Sequence, residues 1–353
     1  MDKIKFAVLL PEVDNPSIPG GGHLFTVGFA KLLKEHAEVE LVSYNLKEEG
    51  VWYLPEVEEK LENEGYVCII TWGPHVNFLL EKYYGKFPLV YLQQSMDWGI
   101  KLPIDVPVLC VSKYVMAMAQ LEWPSNPQFY MPIVLPEECK NTDQQRDIDV
   151  LIVKRKLPEY ITQTLRKELE KQCNVYYLDS FVTREELYSL FNRSKTYLYA
   201  FDPQRCEHTS SGWRMMEGGS LQALEAMLCG CTVFSDLRGG PIDFVQPWEH
   251  GYKLQTHSMQ WDIHQILNAV HKFPQIGHAE HEQYIHEHYG IEAFQRRAES
   301  FISFISEYTE FIKTHPSDES VFKVKQPFSN AQKRKMKQNK LLVQIKRKLL
   351  GRS

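Results

Sequence analysis

Apolar residues follow two rhythms along this chain. Short runs that are apolar nearly throughout, at Ile4 to Leu10, Val39 to Tyr44, Tyr66 to Thr71, Leu89 to Leu92 and Val106 to Val111, predict strands. Between them, stretches at about residues 23–36, 55–64, 75–84 and 113–122 set apolar positions three and four apart and predict amphipathic helices. Strands apolar on both faces and separated by helices belong to a parallel sheet covered on both sides. The rhythm breaks between Pro124 and Asp147, where Pro127, Pro132 and Pro136 are followed by a polar cluster from Lys140.

It then starts again. Strands are expected near Asp149 to Val153, Val175 to Leu178, Thr196 to Ala200 and Thr232 to Ser235. Helices are expected from about Pro158 to Gln172, Thr183 to Asn192, Ser220 to Cys229 and Met259 to Lys272, with Thr183 and Glu186 spaced as a capping box. After Gly290 a long helix carries one apolar stripe, Phe294, Ala298, Phe301, Ile302, Ile305 and Tyr308, and must lie against the body. The expected fold class is α/β: two Rossmann-like, doubly wound domains in tandem. Residues 1–135 form the first and 141–290 the second, 291–315 are a packing helix, and 316–353 are a tail with too few large apolar residues for a core.

Charge sharpens that division. The chain of 353 residues has 40 Lys and Arg against 45 Asp and Glu, a net of -5. Eleven of the bases, and no acids, lie from Ser320 onward, which leaves 29 basic against 45 acidic side chains over residues 1–319. An acidic body repels polyanions, so nucleic acid is not an expected partner. The tail interleaves its bases with Leu342, Ile345 and Leu349. As a helix it would suit an anionic membrane surface; otherwise it is a basic disordered end. Phe6 to Leu10 is too short for a signal segment, and no run approaches the ~20 apolar residues of a membrane span, so a cytoplasmic location is expected, with peripheral attachment through the tail.

Seven cysteines without a C-x-x-C pair read as reduced thiols. His257, His264, His271 and His278 recur every seven residues, roughly 10 Å apart on a helix, too far for one metal ion to bridge. No metal site is expected.

The most informative segment runs Glu217-Gly-Gly-Ser-Leu-Gln-Ala-Leu-Glu225-Ala-Met-Leu-Cys-Gly230, in which Ser220 is expected as the side-chain N-cap of a helix and Gly230 as its stop. Backbone N–H groups at the start of its helix, near Gly218, Gly219, Ser220 and Leu221, suit a phosphate or diphosphate, and the glycines let a ligand approach the main chain. Glu225 suits a vicinal diol and Glu217 suits sugar hydroxyls, and neither role requires a shifted pKa. As lone acids both would read as solvated surface groups.

Followed by Thr232 to Ser235 and Gly239-Gly240-Pro241-x-Asp243, this E-x7-E segment resembles the retaining nucleotide-sugar glycosyltransferases of family four, which have the GT-B fold. The resemblance implies transfer of a sugar from a nucleoside-diphosphate donor to an acceptor hydroxyl on a glycan or lipid-linked molecule, without a cofactor or metal. It implies that Glu217 contacts the transferred sugar, that Glu225 contacts the donor ribose, and that Gly240 lies near the donor, with Asp243 where the family has Glu. Asp149 to Lys156 resembles the strand that opens the donor domain, so Arg155 would hold the diphosphate, with Lys154 in place of the family's Gly and Lys156 beside it. Tyr177 to Thr183, with Phe181 and Val182, resembles the base-contacting segment.

In the first half, Gly20-Gly21-Gly22-His23 resembles the family's glycine loop, although a flexible turn explains the triplet equally well. Tyr91 to Asp97 occupies the place of a functional His that this chain lacks, and Gln94 and Asp97 are the acceptor-side candidates by position. Residues Asp202 to Arg214 are long for a strand-to-helix link, either a lid or an excursion. A sugar-nucleotide epimerase, a glycogen-synthase-like polymerase and a non-catalytic binding module on the same fold are the alternatives.

Overall fold

A computed structural model describes residues 3–14, 21–96, 98–154, 157–202, 208–209, 212–213, 218–245, 251–255, 258–273 and 278–315. The first series is β1 (Lys5–Leu10), α1 (Gly21–Leu33), β2 (Glu38–Ser43), β3 (Trp52–Tyr53), α2 (Leu54–Asn63), β4 (Val67–Ile70), α3 (Gly73–Tyr83), β5 (Leu89–Gln93), β6 (Val108–Cys110), α4 (Lys113–Glu122) and β7 (Gln128–Tyr130). Its strands form one parallel sheet in the order β3-β2-β1-β4-β5-β6-β7. Two of these strands lie outside the sequence expectation. Each has only two or three residues at a sheet edge, and β7 sits among prolines, which an edge strand tolerates.

The second series is β8 (Ile148–Val153), a π-turn at Tyr160–Leu165 leading into α5 (Arg166–Leu169), β9 (Val175–Leu178), α6 (Arg184–Arg193) and β10 (Ser194–Tyr199). It continues through the paired short strands β11 (His208–Thr209) and β12 (Gly212–Trp213), α7 (Leu221–Leu228), β13 (Thr232–Ser235), a 3₁₀ turn at Gly240–Asp243, β14 (Gly251–Lys253), α8 (Met259–His271) and α9 (His278–Tyr289). Its parallel sheet has the order β14-β13-β10-β8-β9. The helix expected from Pro158 forms as one continuous stretch, π-type over Tyr160–Leu165 and α over Arg166–Leu169, and buries Ile161, Leu165 and Leu169 against the sheet. The capping box forms as read, with the Thr183 hydroxyl accepting from the Glu186 N–H at 3.2 Å and Glu186 accepting from the Thr183 N–H at 2.9 Å.

The chain passes from one core to the other between Ile133, which packs with the first sheet, and Leu135, which packs with the second. It returns once. Helix α10 (Ile291–Thr314) lays Phe294, Ala298, Phe301 and Ile305 into the first core, where Phe301 stacks on Phe6 with centroids 5.9 Å apart and Phe294 meets Phe29 edge-on at 6.0 Å. Burying a large apolar side chain contributes about 1.5–3 kcal/mol, which makes this stripe a substantial tie from the chain's far end to the first sheet. Among the described residues no helix is long and apolar enough to cross a membrane. The tail from residue 316 lies outside them.

Candidate functional site

Each sheet has one place where the strand order reverses. In the five-stranded sheet β8 connects outward to β9 and β10 connects the opposite way to β13, so the crevice lies between the adjacent strands β8 and β10. In the seven-stranded sheet the corresponding crevice lies between β1 and β4. Open α/β sheets bind ligands outside the carboxyl ends of the strands at such points. The segments singled out from sequence cluster there: Lys154 directly follows β8, α7 follows β10, and Gly21 to His23 open α1 after β1.

The residues before α7 behave differently from the sequence expectation. Ser220 is the N-cap residue, but at φ 53° and ψ 45° it is left-handed and its hydroxyl makes no capping bond. Side-chain capping needs an extended N-cap residue, so the helix start is shaped here by the backbone. The glycines admit protein. A Cβ on Gly218 would strike the Gln94 carbonyl oxygen, and one on Gly219 would strike Ile133 Cδ1; both partners belong to the first series. A Cβ on Gly240 would lie 2.7 Å from the Gly218 carbonyl oxygen and 3.0 Å from Ser220 Oγ. Gly218 and Gly219 thus form a seam against the other sheet's carboxyl edge, and Leu221 adds a 4.0 Å contact from its Cδ2 to the place of a Cβ on Gly21.

Glu225 lies on the inner face of α7 and is only 1% exposed. The Tyr188 hydroxyl donates to its Oε1 at 3.0 Å, and Arg184 Nη2 lies 3.2 Å from the same oxygen. Both partners project from the first turns of α6, four residues apart, the spacing that puts two side chains on one helix face. Burial pushes the Glu225 carboxyl up to about 7, against the lowering pull of the Arg184 charge and the Tyr188 hydrogen bond. The shift comes from enclosure of the glutamate between two helices, where a lone acid would read from sequence as a solvated surface group. Arg184 and Tyr188 escaped the sequence reading; their i, i+4 spacing beside a capping box is visible, but the packing of α6 on α7 is not. Beneath them the Cys139 thiol donates to the Glu225 backbone carbonyl at 3.6 Å and lies 3.9 Å from Cys229 Sγ. The six cysteines among the described residues are free thiols.

Lys154 is exposed at the end of β8, where its backbone N–H donates to the Leu178 carbonyl at 2.9 Å. Phe181 is 97% exposed after β9, whereas Val182 packs against the second core. Glu217, Arg155, Lys156, Gly20 and Asp97 lie outside the described residues, as does most of the segment from Asp202 to Arg214. Among the described residues no group of three or more His, Cys, Asp or Glu side chains is placed to hold a metal ion.

On the first sheet's edge, Gln94 joins the two halves. Its Nε2 donates to Thr26 Oγ1 at 2.5 Å and its Oε1 fills the place of a Cβ on Gly22, while its carbonyl meets Gly218. His23 is buried within α1. Four further side chains gather at this edge without having been anticipated: Tyr44 after β2, Trp72 and His75 after β4, and Trp98 after β5.

Asp243 makes a second link across the halves. Its carboxylate accepts from the backbone N–H of Lys113 and, at 3.1 Å, from that of Tyr114 in the first turn of α4, beside the Ser112 hydroxyl that accepts from Val115. A carboxylate at a helix N-terminus satisfies N–H groups that lack intrahelical partners and meets the positive end of the dipole. The residue standing where the resembling family has a donor-side Glu thus fastens the second half to the first.

No protein-family model matches the chain, and no curated protein matches it in sequence. Solved structures do match in shape. Anabaena HepE in complex with UDP-glucose is 13% identical with a TM-score of 0.57, over 85% of this chain and all of that one. Sucrose-phosphate synthase from Thermosynechococcus elongatus is 12% identical with a TM-score of 0.56, over 89% of this chain and all of that one. TarM is 12% identical with a TM-score of 0.49, over 69% of this chain, and the chain spans 57% of its length. The fold is GT-B, two Rossmann-like halves with a closing C-terminal helix.

Proposed function

We propose that this protein is a glycosyltransferase that moves a sugar from a nucleoside-diphosphate donor to an acceptor hydroxyl on a glycan or lipid-linked molecule, with retention of configuration. The observation that carries the reading is the pairing of two reversal-point crevices across one seam, with Gln94 against Gly218. The solved HepE complex with UDP-glucose supports the donor class. In this reading residues 1–135 serve the acceptor, 141–290 serve the donor, and 291–315 close the body.

Lys154, with Arg155 and Lys156, and the N–H groups at the start of α7 neutralise the diphosphate as charge builds on the leaving group. These fixed donors do the work a metal does elsewhere, so turnover is expected without a divalent ion. Glu217 holds the transferred sugar. Glu225 is assigned to the ribose by its place in the motif; Arg184 and Tyr188 hold its carboxylate in one orientation between α6 and α7, and the ribose reaches it as that contact opens. The departing phosphate takes the acceptor proton, which removes the need for a separate base. The test is nucleoside-diphosphate release from a nucleotide-sugar panel, with thermal shift for donor binding. Glu225→Ala and Arg155→Ala are each expected to weaken the donor; unchanged donor binding in both sinks the assignment.

A further inference from the structure

The crevice between β1 and β4 is lined by side chains that the donor reading does not use. Trp72 follows β4 at φ 67° and ψ 70°, a left-handed conformation that a bulky residue holds only at a cost in strain. Its ring edge lies 3.8 Å from the place of a Cβ on Gly22. Gly73 comes next, and a Cβ there would penetrate the indole of Trp98, so that ring lies directly on the Gly73 backbone. Trp98 is fixed in turn by its Nε1–H, which donates to Ser95 Oγ at 2.7 Å. His75 then pairs through Nδ1 with the Tyr44 hydroxyl at 2.9 Å. Tyr44 follows β2 and His75 follows the α3 start after β4, so the pair joins the ends of the two strands that flank β1.

We propose that this edge is a saccharide-binding shelf: the half-buried rings of Trp72 and Trp98 meet the apolar C–H face of a sugar ring, Trp98 through the side turned away from Gly73, and the His75–Tyr44 pair offers hydrogen bonds to its hydroxyls. Aromatic side chains with a polar tip suit ligands that are apolar on one side and wet on the other. A few oriented polar groups in an aromatic surround are the usual make-up of a small-ligand site. Burial lowers the His75 pKa, so the imidazole is neutral at pH 7. With the Tyr44 phenol donating to Nδ1, Nε2 carries the proton and becomes a hydroxyl-binding donor. Gln94 touches both Gly22 on the shelf and Gly218 on the donor half, which places the shelf one residue from the seam. Its assignment as the acceptor site rests on the glycosyl-transfer reading; its assignment as a sugar site does not.

Saturation-transfer NMR on the full chain, with methyl glycosides of glucose, galactose, mannose and N-acetylglucosamine and no nucleotide present, tests the shelf. At least one glycoside is expected to bind the wild type. Trp98→Ala and His75→Gln are expected to weaken it about tenfold or more, while Trp98→Phe, which keeps a ring, retains binding and guards against simple misfolding. No glycoside binding to the wild type, or equal binding by Trp98→Ala and His75→Gln, overturns the proposal. Thermal shift with UDP, GDP, ADP and TDP is run alongside. A glycoside that binds in a tryptophan-dependent way supports the shelf even where no nucleotide stabilises the chain, in which case only the donor reading falls. Nucleotide stabilisation without any glycoside binding removes the shelf alone.

Discussion

The two carboxyl edges that meet at the seam are built in opposite ways. The edge of the five-stranded sheet comes largely from one run of sequence, Gly218 to Glu225, and holds a buried charge, Glu225 with Arg184. The edge of the seven-stranded sheet is assembled from segments far apart in the chain, at Gly22, Tyr44, Trp72 to His75 and Gln94 to Trp98. Its polar contacts, Tyr44 with His75 and Gln94 with Thr26, are between neutral groups. Backbone N–H groups and fixed charges suit an anion; ring faces and neutral hydrogen bonds suit a sugar. The contrast predicts that binding on the first edge weakens as salt screens it while binding on the second is insensitive to salt.

The buried charge is the strongest way to test that contrast. A carboxyl raised in the fold gains stability from its protonated form and loses it as pH climbs from the ordinary carboxylate value through the folded value of about 7. The wild type should therefore lose about 3 kcal/mol more than Glu225→Gln between about pH 5 and about pH 8 in denaturant unfolding. Parallel pH profiles for the two proteins would show that Glu225 is not enclosed. Next is the seam. Gly218→Ala places a methyl against the Gln94 backbone carbonyl, which cannot rotate away, and should cost about 1–3 kcal/mol. A thermal unfolding midpoint equal to that of the wild type would mean the halves do not close on Gly218.

A smaller effect is expected at the fastener. Asp243→Ala removes two bonds to the start of α4 and should cost about 1 kcal/mol, with faster hydrogen exchange at Lys113 and Tyr114. Asp243→Asn should recover part of that protection, since an amide oxygen still accepts. The smallest effect concerns the tail. A chain ending at Pro316 should unfold at the same midpoint as the full chain yet lose sedimentation with anionic liposomes. Equal liposome binding by both removes any membrane role for the bases beyond Ser320.

The fold was largely legible because parallel sheets write themselves as apolar runs. Val67 to Ile70 and Leu151 to Ile152 are buried on both sides and could hardly be read otherwise. The short edge strands β3, β7 and β14 escaped because two or three residues carry no period. At the site, the glycines and the glutamate of the α7 segment were visible as a local motif, but their partners were not. Gly218 is shaped by Gln94 and Glu225 by Arg184, contacts that exist only after two separated segments have packed. His75 was hidden for the same reason, since its partner Tyr44 lies 31 positions away. The Ser220 expectation failed because residue type signals a cap only when the backbone is extended there.

The return of α10 to the first sheet also sets an order of events during synthesis. Phe6, Phe29 and Phe129 are covered by Phe294 and Phe301, which leave the ribosome only after the whole second half has been made. Until then the nascent first half carries an open aromatic face and must wait beside a second half that is complete in itself. Early quality control of this chain, and any attempt to express residues 1–135 alone, therefore has to contend with a surface that the finished protein never displays.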